Sequence, residues 1–409
     1  MKYVRTHETR DKFLADKDST SRGFRLAPTL YKYSDESEDE DNRDHIYLEL
    51  DDPRKHEGST YMEIALNSDV EFSFYIGNKS GDKQTTMTCT VDWGDDTIET
   101  KTITKDTYGF KLTHNYVAGS YKIELYDVER DYSVVGVYNT SLISPKESVK
   151  RVVLGDGVVS IGDWTFYKCT SLTSIFIPEG VTYIGSRTLA ICKSLTSIYI
   201  PKSVTSIGDR VLDGCYDLKL VYIPEGVTRI VQGMFYGCRS LKSINIPESV
   251  TSIRPQAFEL CRSLTSVYIP ESVTSIGYTA FGTCTSLKSI YLPEGITSIE
   301  KEVFYKCTSF KSIDIPRGVT IIDTRVFYKC TSLASIDIPE KVTSIRDEAF
   351  YGCSSLTSIS SFNPTTPTLG GNIFLNLPTN GTLHIKPGAT GYDAWLSKLP
   401  EGWRIVEDL

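Results

Sequence analysis

Nine cysteines recur every 23 residues, at Cys169, Cys192, Cys215, Cys238, Cys261, Cys284, Cys307, Cys330 and Cys353, and a tenth stands apart at Cys89. Thiols in that number suggest disulfide pairing, metal coordination or inert packing. Structural zinc wants four converging ligands, and no histidine falls between Cys169 and Cys353. The fixed phase puts all nine in one column, beside apolar positions such as Phe166 and Leu172. That context predicts small buried thiols filling a constant gap, although neighbouring units would be close enough for bridging on distance alone.

Other reactive groups are sparse. Asp92, Asp95 and Asp96 crowd one short segment. Three carboxylates there could hold calcium together with backbone oxygens; Asp and Gly also make tight turns for local reasons, which is the simpler reading. Trp93 reads as core. The five histidines, His7, His45, His56, His114 and His384, are scattered. No nucleophile motif, phosphate loop or metal signature is present. The expectation is a non-enzyme with no cofactor and no metal site.

The elements that carry the cysteines follow from the same period. A repeat of this length implies a solenoid, in which each unit buries its apolar face only against its neighbours. The Phe166 column continues as Leu189, Leu212, Phe235, Phe258, Phe281, Phe304, Phe327 and Phe350. Ile175 and Ile177 flank Phe176 in the two-residue alternation of a strand with one face buried. Pro178, which has no N–H to give a ladder, ends that strand. Val181 and Ile184 form a second apolar step, and between Gly185 and Cys192 there is room for no more than a turn or two of helix. Such strands must align as a parallel sheet, about 4.8 Å per coil.

The side chain between the two core positions points away from the core. That column reads Phe176, Tyr199, Tyr222, Asn245, Tyr268, Tyr291, Asp314 and Asp337. It is the candidate surface for a protein or glycan partner, since tyrosine offers large area with a polar tip. Stacking along the sheet for stability is the alternative use of the same rings. The column after the proline, Glu179, Lys202, Glu225, Glu248, Glu271, Glu294, Arg317 and Glu340, reads as a solvated turn edge.

These repeats resemble the BspA-like leucine-rich repeats of bacterial surface proteins, whose pattern is IxIPxxVTxIGxxAFxxCxxL. The stretch VTSIGYTAFGTCTSLKSIYLPEGITSI, residues 273 to 299, is close to it, and the resemblance covers about residues 149–361. It implies a right-handed leucine-rich-repeat solenoid with a parallel β-sheet and a role in recognition or adhesion at a cell surface. Upstream, VDWGDD (Val91 to Asp96) followed by HNYVAGSYKIEL (His114 to Leu125) resembles the PKD family of immunoglobulin-like domains. This chain shortens the first motif, WxFGDG, and has Asp96 where that motif ends in glycine. The resemblance implies an all-β sandwich serving as a spacer or interaction module.

The mainly β chain therefore divides into an N-terminal arm with an acidic linker (1–58), a PKD-like sandwich (59–145), the solenoid (146–362) and a C-terminal cap (363–409). In the arm, Thr6 to Leu14 suggests a short helix. In the cap, Thr382 to Pro387 suggests a final strand, and Thr390 with Asp393 suggests a short capped helix. The net charge is −8. Residues 151–361 contain 21 basic and 19 acidic residues, a balance that argues against nucleic-acid binding, which wants a basic face. The acidity gathers instead at Asp35, Glu36, Glu38, Asp39, Glu40 and Asp41.

No apolar run approaches the roughly 18 residues of a membrane span, and the first twenty residues carry no apolar signal core. The opening, Met1 to Ser19, resembles the starts of phage and prophage proteins of gut bacteria. Two functions follow. One is a non-enzymatic adhesion or recognition protein at a cell surface. The other is a phage virion or host-attachment protein anchored by its arm, or one that stays in the cytoplasm.

Because each coil contacts only its neighbours, deleting residues 258–280, one 23-residue period, should leave a folded, shorter protein. Deleting only 258–268 should put every buried column out of phase and abolish the cooperative transition. Circular dichroism and melting compare the two, and equal behaviour would contradict a solenoid.

Overall fold

The computed structural model describes residues 60–78, 86–104, 110–126, 132–134 and 145–409. The arm, its Thr6–Leu14 segment and the acidic run from Asp35 to Asp41 lie outside the described residues. Ten strands begin the fold: β1 (Thr60–Leu66), β2 (Val70–Asn78), β3 (Thr86–Asp92), β4 (Ile98–Thr104), β5 (Phe110–Tyr116), β6 (Gly119–Tyr126), β7 (Tyr132–Val134), β8 (Val149–Val153), β9 (Val158–Ile161) and β10 (Ser174–Phe176). From β8 onward the chain winds in coils, and equivalent residues of successive coils pair in parallel. Ile175 sits beside Val152, and Ile184 lies between Ile161 and Ile207.

The strands before the coils join the same two sheets. One sheet runs β10-β8-β1-β6-β3-β4, with β1 antiparallel to β8. The other contains β9-β7-β2-β5, with β7 parallel to β9. At the seam, the Gly155 N–H donates to the buried Thr60 hydroxyl at 2.9 Å. One hydrophobic core runs without a break from Met62 through the coils to Trp403. It contains the inward faces of β1 (Met62, Ile64, Leu66), β2 (Phe72, Phe74, Ile76) and β3 (Met87, Cys89, Val91).

Inside the coils two ladders run along the axis. Phe235, Phe258, Phe281, Phe304, Phe327, Phe350 and Phe374 stack nearly parallel with centroids 5.2–6.2 Å apart. Beside them the cysteines are all free and buried. From Cys192 onward each thiol donates to the carbonyl of the phenylalanine-column residue 26 positions earlier. Cys192 to Phe166 is 3.2 Å, and Cys353 to Phe327 is 3.1 Å. The thiol therefore satisfies a carbonyl of the coil below while filling the gap beside the ring.

No helix forms between Gly185 and Cys192. That segment of each coil is a run of turns with two left-handed residues four positions apart: Arg187 (φ 53°) and Ile191 (φ 64°), then Arg210 and Gly214, and so on up the array. Left-handed backbone costs an L-residue roughly 1–2 kcal/mol. The conformation is offset by hydrogen bonds it makes possible. The N–H of Lys168 reaches the Ala190 carbonyl at 2.9 Å, Ile191 reaches Asp213 at 2.6 Å, and Lys329 reaches Tyr351 at 2.7 Å, always in the next coil.

At the far end, Ser335–Ile338, Ser358–Ser361, Thr382–Ile385 and Arg404–Glu407 form a four-stranded parallel sheet. The last strand was not apparent from the sequence. The helix is short, Asp393–Leu396, and its N-cap is Tyr392 with no side-chain cap hydrogen bond. The capping expected of Thr390 is absent because Thr390 bridges to Thr365 and donates its N–H to the Pro364 carbonyl instead. Trp395 meets Phe374 at 5.7 Å with a tilt of 52° and ends the ring stack.

Burial raises every repeat thiol that shifts. Cys169, Cys307 and Cys353 are pushed up to about 12, and Cys89 to about 11. A thiol-specific disulfide reagent at pH 8 should therefore find almost no reactive groups in the native protein and all ten after denaturation. Fewer than four in the unfolded chain would show that the column is bridged.

Candidate functional site

The column between the core isoleucines runs along the solvent side of the strands, and its members are not equally open. Asn245 and Asp314 are exposed; Phe176, Tyr199, Tyr222, Tyr291 and Asp337 are half-buried; Tyr268 is 8% exposed. Asn245 and Tyr268 form a parallel bridge. Tyr199 and Tyr222 stack at 4.9 Å, 19° from parallel. Burial, with Glu225 and Glu179 nearby, raises the Tyr222 phenol.

The edge after the proline is bound into this row. The Tyr199 hydroxyl donates to Glu179 Oε1 at 3.1 Å, and the Tyr291 hydroxyl to Glu271 Oε1 at 2.8 Å. Each acceptor belongs to the coil before its tyrosine. The same column also caps backbone: Lys202 N–H donates to Glu179, Ser249 to Glu225 and Arg317 to Glu294. Glutamates expected to be merely solvated thus hold the rings and the turns in place. The face offers half-covered aromatic rings with their hydroxyls aimed at carboxylates, a surface suited to contact and hydrogen bonding.

A second face, on the left-handed turns, was missed from the sequence. Tyr305, Tyr328 and Tyr351 stack at 5.1 and 4.8 Å, with Lys306 4.9 Å from the Tyr305 ring and Lys329 5.6 Å from the Tyr328 ring. Beside them, Arg325 reaches Glu348 at 2.6 Å and Glu302 at 3.5 Å. Lower in the array, Arg210 reaches Asp213 at 3.2 Å and Gln256 at 2.5 Å, and Gln256 donates to Glu259 at 3.0 Å. Burial raises the carboxyls of Asp213 and Glu259 despite these donors. The available signal was the position after the phenylalanine column, which is tyrosine in five of nine coils, Tyr167, Tyr236, Tyr305, Tyr328 and Tyr351, and Asp213 or Glu259 in two others.

The three upstream aspartates shape a turn. Asp92 Oδ1 accepts from Gly94 N–H at 2.8 Å, Asp95 Oδ1 accepts from Thr97 N–H at 3.2 Å, and Asp96 is left-handed at φ 65°. The His114 Nε2–H donates to Asp95 Oδ2 at 2.7 Å. Trp93 is fully buried, stacks on His114 at 4.9 Å and donates to Glu99 at 2.7 Å. Among the described residues no group of three or more His, Cys, Asp or Glu side chains is placed to hold a metal ion. None of their helices is long and apolar enough to cross a membrane.

Stacked parallel coils at a 23-residue period, each with a buried cysteine beside a buried phenylalanine or leucine, define a leucine-rich-repeat solenoid. The family model described as "BspA type Leucine rich repeat region (6 copies)" matches residues 143–265 and 251–380, and the chain belongs to that family. Among solved structures it is similar to a leucine-rich repeat protein from Bacteroides ovatus, with 21% identity over 80% of this chain and 100% of that one, at a TM-score of 0.44. It is also similar to a leucine rich cell surface protein from Faecalibacterium prausnitzii, with 24% identity over 69% and 96% of the two chains, at a TM-score of 0.31. The pneumococcal vaccine antigen PcpA shares 16% identity over 64% and 80%, at a TM-score of 0.43. No match was found among curated proteins.

Stacked aromatic pairs contribute about 0.5–1.5 kcal/mol beyond area burial. A double-mutant cycle of Tyr199→Leu and Tyr222→Leu, read by denaturant unfolding, should return a coupling in that range. A coupling near zero would mean that the two rings are held independently.

Proposed function

We propose that this chain is a non-enzymatic recognition or adhesion protein whose repeat array presents its strand face to a protein or glycan partner at a cell surface. The observation that carries the reading is the tyrosine row, in which the half-exposed Tyr199 and Tyr222 stack and the hydroxyls of Tyr199 and Tyr291 are held by carboxylates of the coil below. A surface held in place before contact loses little side-chain freedom on binding. Membership in the BspA-type family supports the same role. In this reading the strands of residues 59–145 form a PKD-like module that serves as a base, residues 146–362 are the recognition array, and residues 363–409 cover its end. The contact residues are Phe176, Tyr199, Tyr222, Asn245, Tyr268, Tyr291, Asp314 and Asp337. The virion reading rests on the arm, residues 1–58, which lies outside the described residues, and no described residue favours it.

Replacing Tyr199, Tyr222, Tyr268 and Tyr291 together by serine should abolish adhesion to cells or binding in a screen of proteins and glycans. Losing their cross-strand contacts costs about 0.5–1 kcal/mol per exposed pair, with more at the buried Tyr268, which a long solenoid survives. The control is Lys202→Ser with Glu248→Ser, on the edge after the proline. A folded tyrosine variant that binds as well as this control would move the contact surface elsewhere.

A further inference from the structure

The near-neutral total of the array hides a division of charge across each coil. In the four residues after six consecutive cysteines, Cys192 to Cys307, the coils read Lys193-Ser-Leu-Thr, Tyr216-Asp-Leu-Lys219, Arg239-Ser-Leu-Lys242, Arg262-Ser-Leu-Thr, Thr-Ser-Leu-Lys288 and Thr-Ser-Phe-Lys311, while the coils of Cys169, Cys330 and Cys353 carry no charge there. Seven cations and one carboxylate, Asp217, occupy this edge. On the other side of the strand, the post-proline edge carries six glutamates and two cations. All seven cations are exposed, and none forms an ion pair with a described carboxylate. Elsewhere in the array cations do find partners, as Arg210 does with Asp213, Arg325 with Glu348 and Arg346 with Asp323. The basic edge is therefore a row of uncompensated positive charge on a rigid scaffold. From Lys193 to Lys311 it crosses five coil steps, about 24 Å at ~4.8 Å per step.

We propose that this row is a docking surface for a linear sulfated polysaccharide lying along the solenoid axis. The width of the row selects for a single extended chain: the cations follow one line of coils, and the neighbouring strand face carries tyrosines and then glutamates. Its chemistry selects for a sugar. Hydroxyls alternate with the charges, at Ser194, Ser240, Ser263, Ser286 and Ser309, and can pair with ring hydroxyls while the cations take the sulfates. A single-stranded nucleic acid would want open aromatic faces on which to stack its bases. The row's own aromatic, Tyr216, has its ring occupied by Arg239 at 4.4 Å and Lys193 at 5.7 Å. The proposal does not rest on the tyrosine row, so either surface can fail alone.

The test uses the full chain with heparin as the sulfated probe, and with desulfated heparin and oligo-dT as comparators, by calorimetry across a salt series. Heparin should bind best, with affinity falling steeply as salt rises because each phosphate- or sulfate-type contact releases counterions. The variant Lys219→Ser, Arg239→Ser, Lys242→Ser, Arg262→Ser, Lys288→Ser should lose at least about tenfold and show a shallower salt slope. Its melting temperature should hold, since every substitution is exposed. A charge-matched variant away from the row, Lys301→Ser, Lys306→Ser, Lys329→Ser, Lys341→Ser, Lys398→Ser, should bind heparin as the parent does, and so should the tyrosine variant. Equal losses in the two lysine and arginine variants would reduce the effect to net charge and overturn the proposal. So would unchanged binding by the row variant, or oligo-dT binding as tightly as heparin.

Discussion

Every side chain inside the array is shared between two coils, and that sharing forces each coil to repeat the phase of the one before. A phenylalanine ring lies 5.2–6.2 Å from the next, a distance that leaves no room for a coil out of step. The cysteine beside it carries the same constraint in polar form, because its thiol hydrogen finds the carbonyl of the coil below only when both are in register. Serine would offer a stronger donor at greater desolvation cost; a thiol is apolar enough to be buried and polar enough to satisfy one acceptor. The strand pairing, the turn ladder and the outer columns all inherit their alignment from this contact.

Most of the architecture was legible because it is written redundantly. Nine cysteines, nine phenylalanine-type positions and eight prolines report one period, so no single substitution obscures it. Burial of the cysteines followed from their neighbours in the column. The left-handed turn pairs were hidden, because residues such as Trp164, Ile191 and Thr283 give no sign of positive φ. Their conformation is imposed by hydrogen bonds from the adjoining coil, information that no single repeat contains. The cap helix was misread at its start for a related reason: Thr390 is a good local cap, but a bridge to Thr365 engages it elsewhere.

The candidate surfaces were only partly legible. The tyrosine column and its direction were visible, but its ties to the glutamate edge were not, since Tyr199 and Glu179 stand 20 residues apart and meet only through stacking. Likewise the summed charge of the array concealed a basic edge and an acidic edge that face apart. The unbroken passage of β1 and β7 into the sheets of the coils was also invisible, because the sandwich strands expected within residues 59–145 read the same whether they form a separate layer or extend an existing one.

The tilt of Trp395 is where the ring stack of the array ends. A solenoid ending in a bare coil offers a surface that fits its own beginning, and a heterologous contact that does not close on itself grows into a fibre. Turning one ring 52° out of the phenylalanine stack removes the flat aromatic face on which another coil would settle. Trp403, packed in the same terminal region and donating to the Pro378 carbonyl at 2.8 Å, fills the remaining space. The same aromatic chemistry that runs the length of the array thus also closes its end, and the stack has a defined length within the chain.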